Sequence, residues 1–253
     1  MHSSIAIALV VLACVFGGGL LGMWLGPRLP PHHVDKQTQN VVKLGMGTIA
    51  TPMALVLGLL VGTAKASFDS MAKHTDEFAA KVVQLDHILG AYGPETAPIR
   101  RRLRTFMALK IDELWGTERP HRLPSENGVL LESALSRVLS LAPHDERQKA
   151  LQSRALQLSA DIGQTRWLLI EHTAGASIPG PFLVILVFWA GILFVSFGLF
   201  APRHATAVVV LLVCALSIAA AIFIILEMDH PFSGVIRIPS GPARSALAHM
   251  GQP

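Results

Sequence analysis

Ser70 and Lys73 stand three residues apart in the order S-x-x-K, a spacing that in acyl-transfer enzymes sets a lysine amine beside a nucleophilic serine. That chemistry needs further groups, and neither S-D-N nor K-T-G occurs in the chain. The pair also falls on an amphipathic helical stretch, where a four-residue match arises by chance. His32 with His33, and Asp86 with His87, are the next candidates, for a metal. No H-E-x-x-H or C-x-x-C accompanies them, so loop and surface histidines explain both pairs more simply. Cys14 and Cys214 lie in apolar runs, where a thiol packs as a small hydrophobe. No nucleophile, base and orienting group come together, so the chain reads as a non-enzyme with no cofactor and no metal.

Arg100, Arg101, Arg102 and Arg104 form the densest basic patch. Three uses suit it: binding anionic lipid headgroups, concentrating small anions near a pore mouth, or forming a solvated helix face.

The elements that must position these side chains are set by composition. The chain has 253 residues, 51% hydrophobic and 15% charged, with a mean hydropathy of +0.49. Soluble domains average about 25% charged residues, so the expected solvent is a lipid bilayer. The net charge of +4 comes from bases that flank apolar runs with acids among them, which fits a membrane protein and argues against a nucleic-acid partner.

Four stretches lack Asp, Glu, Lys, Arg and His: residues 5–25, 44–64, 181–200 and 205–226. Each has about the 20 residues needed to cross roughly 30 Å of hydrocarbon at 1.5 Å per residue. The first has no basic n-region and outlasts a signal-peptide core, so it reads as an uncleaved helix. Lys43 and Lys65 bracket the second and can snorkel to the interface. Only Ala201, Pro202, Arg203 and His204 separate the third from the fourth, which predicts a tight antiparallel hairpin. The expected fold is therefore an all-α membrane protein, with four transmembrane helices in two hairpins. A helical water-exposed domain, residues 66–180, stands between the second and third spans, and residues 227–253 follow as a C-terminal tail.

Within 66–180 no period-2 run argues for strands. Phe68, Met71, Phe78, Val82, Leu85 and Leu89 recur at helical spacing, so the second span is expected to run on as one long helix until Gly90, Gly93 and Pro94 end it. Ile99, Leu103, Phe106 and Leu114 mark a second helix, Leu131, Leu135 and Val138 a third, and the segment after Pro143 a fourth. The side with both termini and this domain carries Lys65, Lys73, Lys81, Arg166, Arg237 and Arg244. The other side carries Arg28, Lys36, Lys43 and Arg203. The positive-inside rule then places the termini and the domain in the cytoplasm.

Gly18, Gly22 and Gly26 repeat every four residues, as do Gly58 and Gly62. Such ridges let helices approach closely, within or between subunits. Pro52 interrupts a membrane helix and leaves the Thr48 carbonyl without its usual donor; it fits either a bent pore-lining helix or a kink packed against neighbours. No ionisable group sits mid-span, which argues against proton relays and ion-coupled pumps.

In the second span Pro52, Val56, Leu57, Gly58 and Val61 match P-x-x-x-V-L-G-x-x-V, a pattern that resembles the neck helix of bestrophin anion channels. After the fourth span, Glu227, Asp229, Pro231, Phe232 and Gly234 look like the acidic P-F-G segment that follows the last bestrophin helix. The whole chain is similar to bacterial bestrophin-like membrane proteins. The resemblance implies a multi-pass protein of the bacterial inner (plasma) membrane, a homo-oligomer with a small anion as its partner. It also implies a pore constriction at Thr51, Leu55 and Leu59, with Pro52 as the bend and Gly58 as a close helix contact. Leucine stands where the family has aromatic side chains: it can gate by dewetting but offers an anion no positive ring edge. A calcium clasp would need six to eight oxygens, and only Glu227 and Asp229 are present here, so no metal is expected. From another class, the competing reading is a non-conducting scaffold whose helical domain docks a cytosolic partner. It requires that the stripe of Phe68, Phe78, Phe106 and Leu114 is not fully buried within one subunit.

Overall fold

The computed structural model describes residues 2–30, 35–116, 124–174 and 180–250. Among them the regular structure is wholly helical: α1 (His2–Leu25), α2 (Lys36–Tyr92), α3 (Ala97–Trp115), α4 (Pro124–Leu139), α5 (Glu146–Ala174), α6 (Gly180–Phe200), α7 (Ala205–Met228) and α8 (Gly241–His249). The chain divides into two compact units, one of Met1–Phe68 with Ala176–Ile236 and one of Asp69–Gly175 with Arg237–Pro253.

The first unit contains α1, the start of α2, α6 and α7, the four helices long and apolar enough to cross a bilayer. Lipid tails are as apolar as leucine, so helices associate there through close packing, which small residues permit. Helix α1 packs closely along α6 and α7. The physical reason is glycine. A Cβ on Gly22 would overlap the Val195 carbonyl oxygen, one on Gly26 would sit 2.9 Å from the Leu199 oxygen, and one on Gly198 would overlap the Gly19 oxygen. Val15, Leu186, Ala190, Phe194, Leu211, Ala215 and Ile222 fill the resulting core.

The second unit holds the rest of α2 with α3, α4, α5 and α8. Val82, Leu85, Leu89, Leu103, Phe106, Leu131, Val138, Leu158 and Ile162 form its core. Phe78 and Phe106 meet edge to face at 6.0 Å. Helix α2 stops where Gly93 takes φ +151°, a conformation that a side chain would strain, and Pro94 follows. The Thr96 hydroxyl shares its one proton between the carbonyl oxygens of Leu89 and Gly93, at 2.5 and 2.8 Å, and so offers a donor to the buried end of the helix. The loop expected between α3 and α4, residues 117–123, lies outside the described residues.

Residues 237–250 pack within the second unit. Helix α8 packs on α3, the Trp115 indole donates to the Ile238 carbonyl at 2.8 Å, and Met250 is buried in the core.

Candidate functional site

The face of α2 carrying Thr51, Leu55 and Leu59 is uncovered. Leu55 is 74% and Leu59 66% exposed, and Leu44 on the same stripe is 75% exposed. Residues four apart share a helix face, and the opposite face is the one that packs: Leu60 and Ala64 are buried in the first unit's core, with Met53, Val56, Leu57 and Val61 against it. A Cβ on Gly58 or Gly62 would meet no atom within 4 Å. The two glycine series thus part company, since Gly18, Gly22 and Gly26 serve contacts inside the subunit while Gly58 and Gly62 border open space.

Pro52 lies inside a continuous helix. Around it the threonines turn back on their own backbone: Thr48 Oγ1 donates to the Gly45 carbonyl at 2.7 Å and Thr51 Oγ1 to the Gly47 carbonyl at 3.0 Å. Back-bonded hydroxyls of this kind ease helix bending. The Thr51 proton is therefore committed to the helix, and only its lone pairs face outward.

In the last turn of α7, Glu227 is 1% exposed. Its carboxylate accepts the Val235 amide at 2.5 Å. Gly234 between them has φ +109°, and a Cβ there would overlap the carboxylate. Pro231, Phe232 and Asp229 are half-buried along this turn. Glu227 thus organises the turn that carries the proline, phenylalanine and glycine.

The four arginines of α3 do not act alike. The Arg100 guanidinium grips Asp86 with two bonds, both 3.0 Å, and Arg102 donates to Ser133 Oγ at 2.9 Å. Arg101 and Arg104 are exposed. The hydrogen bond to Asp86 raises the Arg100 pKa above its already strongly alkaline value, burial opposing and the Asp86 charge adding to the rise. Asp86 and His87 do not pair as a metal site, because Asp86 is buried on Arg100 while His87 is exposed. His32 and His33 lie outside the described residues. Ser70 is half-buried, and Lys73 sits 3.8 Å from Glu77.

The family model of the Bestrophin-like domain matches residues 13–243. The chain belongs to the bestrophin-like family. Solved structures agree on the fold. A bacterial bestrophin homolog from Klebsiella pneumoniae is 14% identical with a TM-score of 0.66, the match covering 96% of each chain. A single-residue variant of a Klebsiella pneumoniae homolog is 15% identical with a TM-score of 0.66, over 99% of each chain. No curated protein matches by sequence.

In this bestrophin-like chain the sequence reading missed two features. Gly198 on α6 meets the α1 ridge backbone to backbone, and Gly191 lies beside Gly18; their spacing of seven, two helical turns, was the available signal. The Asp86–Arg100 pair carried a weaker one: an acid among the inward positions Val82, Leu85 and Leu89 demands a buried partner, but spacing does not say which.

Proposed function

We propose that this bestrophin-like protein assembles as a homo-oligomer around α2 and forms a gated pathway for small anions. Thr51, Leu55 and Leu59 are the constriction, and Pro52 is the bend. The observation that carries this reading is the uncovered α2 face. Elsewhere in the first unit the exposed side chains include bulky ones such as Val184, Phe188, Val209, Val210 and Val213, as suits a surface against lipid, beside small ones such as Ala13, Cys14, Ser217 and Ala220. The α2 face interleaves its leucines with Thr48, Thr51, Gly58, Gly62 and Ala66, all exposed, and small residues let copies of a helix approach. One four-helix unit offers no polar lumen, so a pathway needs a closed ring of copies.

Charge favours anions. The described part of the first unit has only Asp35, Glu227 and Asp229 as acids, against Arg28, Lys36, Lys43, Lys65 and Arg203, and an excess of positive charge raises the local anion concentration. A leucine ring acts as a gate by dewetting. In this reading the protein sits in the bacterial plasma membrane with its termini and second unit in the cytoplasm, in keeping with the basic flanks.

Planar-bilayer recording on purified protein tests the proposal with Leu55→Ala and Leu59→Ala. Anion current is expected, with greater open probability in the alanine variants. Silence from all three proteins in every salt retires the channel. The scaffold alternative requires that the stripe of Phe68, Phe78, Phe106 and Leu114 is not fully buried: Phe78 and Phe106 are buried in the second unit's core, while Phe68 and Leu114 are half-buried.

A further inference from the structure

At the end of α1, two arginines from distant parts of the chain converge. Arg28 Nη1 donates to the Trp24 carbonyl at 2.9 Å, and its guanidinium stacks on the Trp24 ring, 3.5 Å from the centroid. Arg203, in the α6–α7 connection, donates through Nε and Nη2 to the Met23 carbonyl at 3.1 and 2.7 Å, with Nη2 also 3.5 Å from the Trp24 oxygen. Two positive groups are thereby held within reach of one carbonyl oxygen. Cations belong at a helix C-terminus, so each position alone is ordinary. Their meeting is not, because like charges in proximity call for a counter-charge.

No carboxylate among the described residues pairs with either arginine. Of the first unit's described acids, Glu227 and Asp229 stand at the far end of α7, some 35 Å away at 1.5 Å per residue, and Asp35 caps the first turn of α2 through the Thr38 amide. A guanidinium has five N–H donors, and the bonds to Met23 and Trp24 occupy only part of each set. Both arginines are exposed, and Trp24 is 52% exposed. An exposed tryptophan at the end of an apolar span marks headgroup depth, since its ring sits at the membrane–water interface.

We propose that Arg28 and Arg203, beside Trp24, bind a phosphate group, and that its source is the headgroup of an anionic phospholipid. Arginine matches phosphate through its planar fork of donors. The ring of Trp24 would lie along the first acyl carbons, and the phosphate would supply the two guanidiniums with the negative counter-charge that no described carboxylate provides. The site rests on the membrane placement of α1 and not on conduction, so it stands whether or not the protein passes ions.

Native mass spectrometry of the detergent-solubilised full chain tests the site, with phosphatidylglycerol, phosphatidylcholine and inorganic phosphate as probes. The expected result is preferential retention of phosphatidylglycerol over phosphatidylcholine, weakened roughly fivefold for each arginine removed in Arg28→Gln and Arg203→Gln. Equal retention of the two lipids, or a preference unchanged in both variants, overturns the proposal. Arginine-dependent binding of inorganic phosphate without any lipid preference overturns the lipid source, since the site then takes a free anion. Because Arg203→Gln also uncaps α1, a second measurement leaves both arginines in place. Brominated phosphatidylglycerol is expected to quench tryptophan fluorescence more than brominated phosphatidylcholine, and Trp24→Phe is expected to abolish the difference. Equal quenching by the two lipids sinks the proposal independently of folding.

Discussion

Gly22 of α1 lies so close to Val195 of α6 that a Cβ on the glycine would overlap the valine's carbonyl oxygen. Backbone against backbone leaves no flexible side chain to yield. Gly22→Val is therefore expected to cost about 3 kcal/mol or more, at or above the upper part of the usual range for overpacking, read as a lowered Tm in detergent. Gly58→Val adds its side chain where nothing stands within 4 Å. It is expected to leave the thermal stability of the dissociated subunit unchanged and to shift only the assembly of copies, measured by light scattering.

Asp86 is 1% exposed and held by both arms of Arg100. Asp86→Ala strands a half-buried guanidinium, and breaking a buried pair from one side costs about 3–5 kcal/mol. Arg100→Lys keeps the charge but loses the fork, and is expected to recover only part of that. Because Asp86 raises the Arg100 pKa, the folded state holds that proton more tightly than the unfolded chain does. Its contribution is fully present below the ordinary arginine range and is lost only as pH rises beyond it. Between pH 6 and 9 this arginine is expected to add no slope to the unfolding free energy, and a denaturant titration across that window checks it.

Gly234→Ala meets two obstacles at once, a φ of +109° and the Glu227 carboxylate. A cost of about 2 kcal/mol is expected. Glu227→Gln keeps one carbonyl oxygen for the Val235 amide, so it should lower Tm less than Glu227→Leu, which strands that donor. Equal losses from both substitutions would show that the hydrogen bond does not hold the turn.

Trp115→Phe removes the indole donor to the Ile238 carbonyl while retaining most of the ring's bulk. The expected cost is about 1 kcal/mol, and its signature is local: amide hydrogen exchange over Gly241–His249 accelerates while that of α3 is nearly unchanged.

Thr51→Val deletes a hydroxyl that already serves the helix through the Gly47 carbonyl. Little change in stability is expected, about 0.5 kcal/mol or less, because back-bonding of this kind contributes little to helix stability. In bilayer recordings a shift in conductance without a shift in ion preference is expected, since the hydroxyl proton is not offered to an anion.

Local physics was legible in the amino-acid order. Uncharged runs long enough to span hydrocarbon, the inward stripe of Val82, Leu85 and Leu89, and the stop at Gly93 and Pro94 each depend on side-chain polarity or backbone sterics within a few neighbouring residues. The family pattern around Pro52 and Gly58 was readable for the same reason. Only the tertiary structure decided which glycines serve contacts inside the subunit, that Asp86 belongs to Arg100, that Glu227 organises the turn at Gly234, and that the last residues return as α8 to bury Met250. Each of these is a contact between groups that need not be neighbours in the chain, and hydropathy and periodicity carry no information about distance through space. A glycine in α1 and one in α2 look alike as letters; the backbone that approaches the first, and leaves the second open, is supplied by the fold.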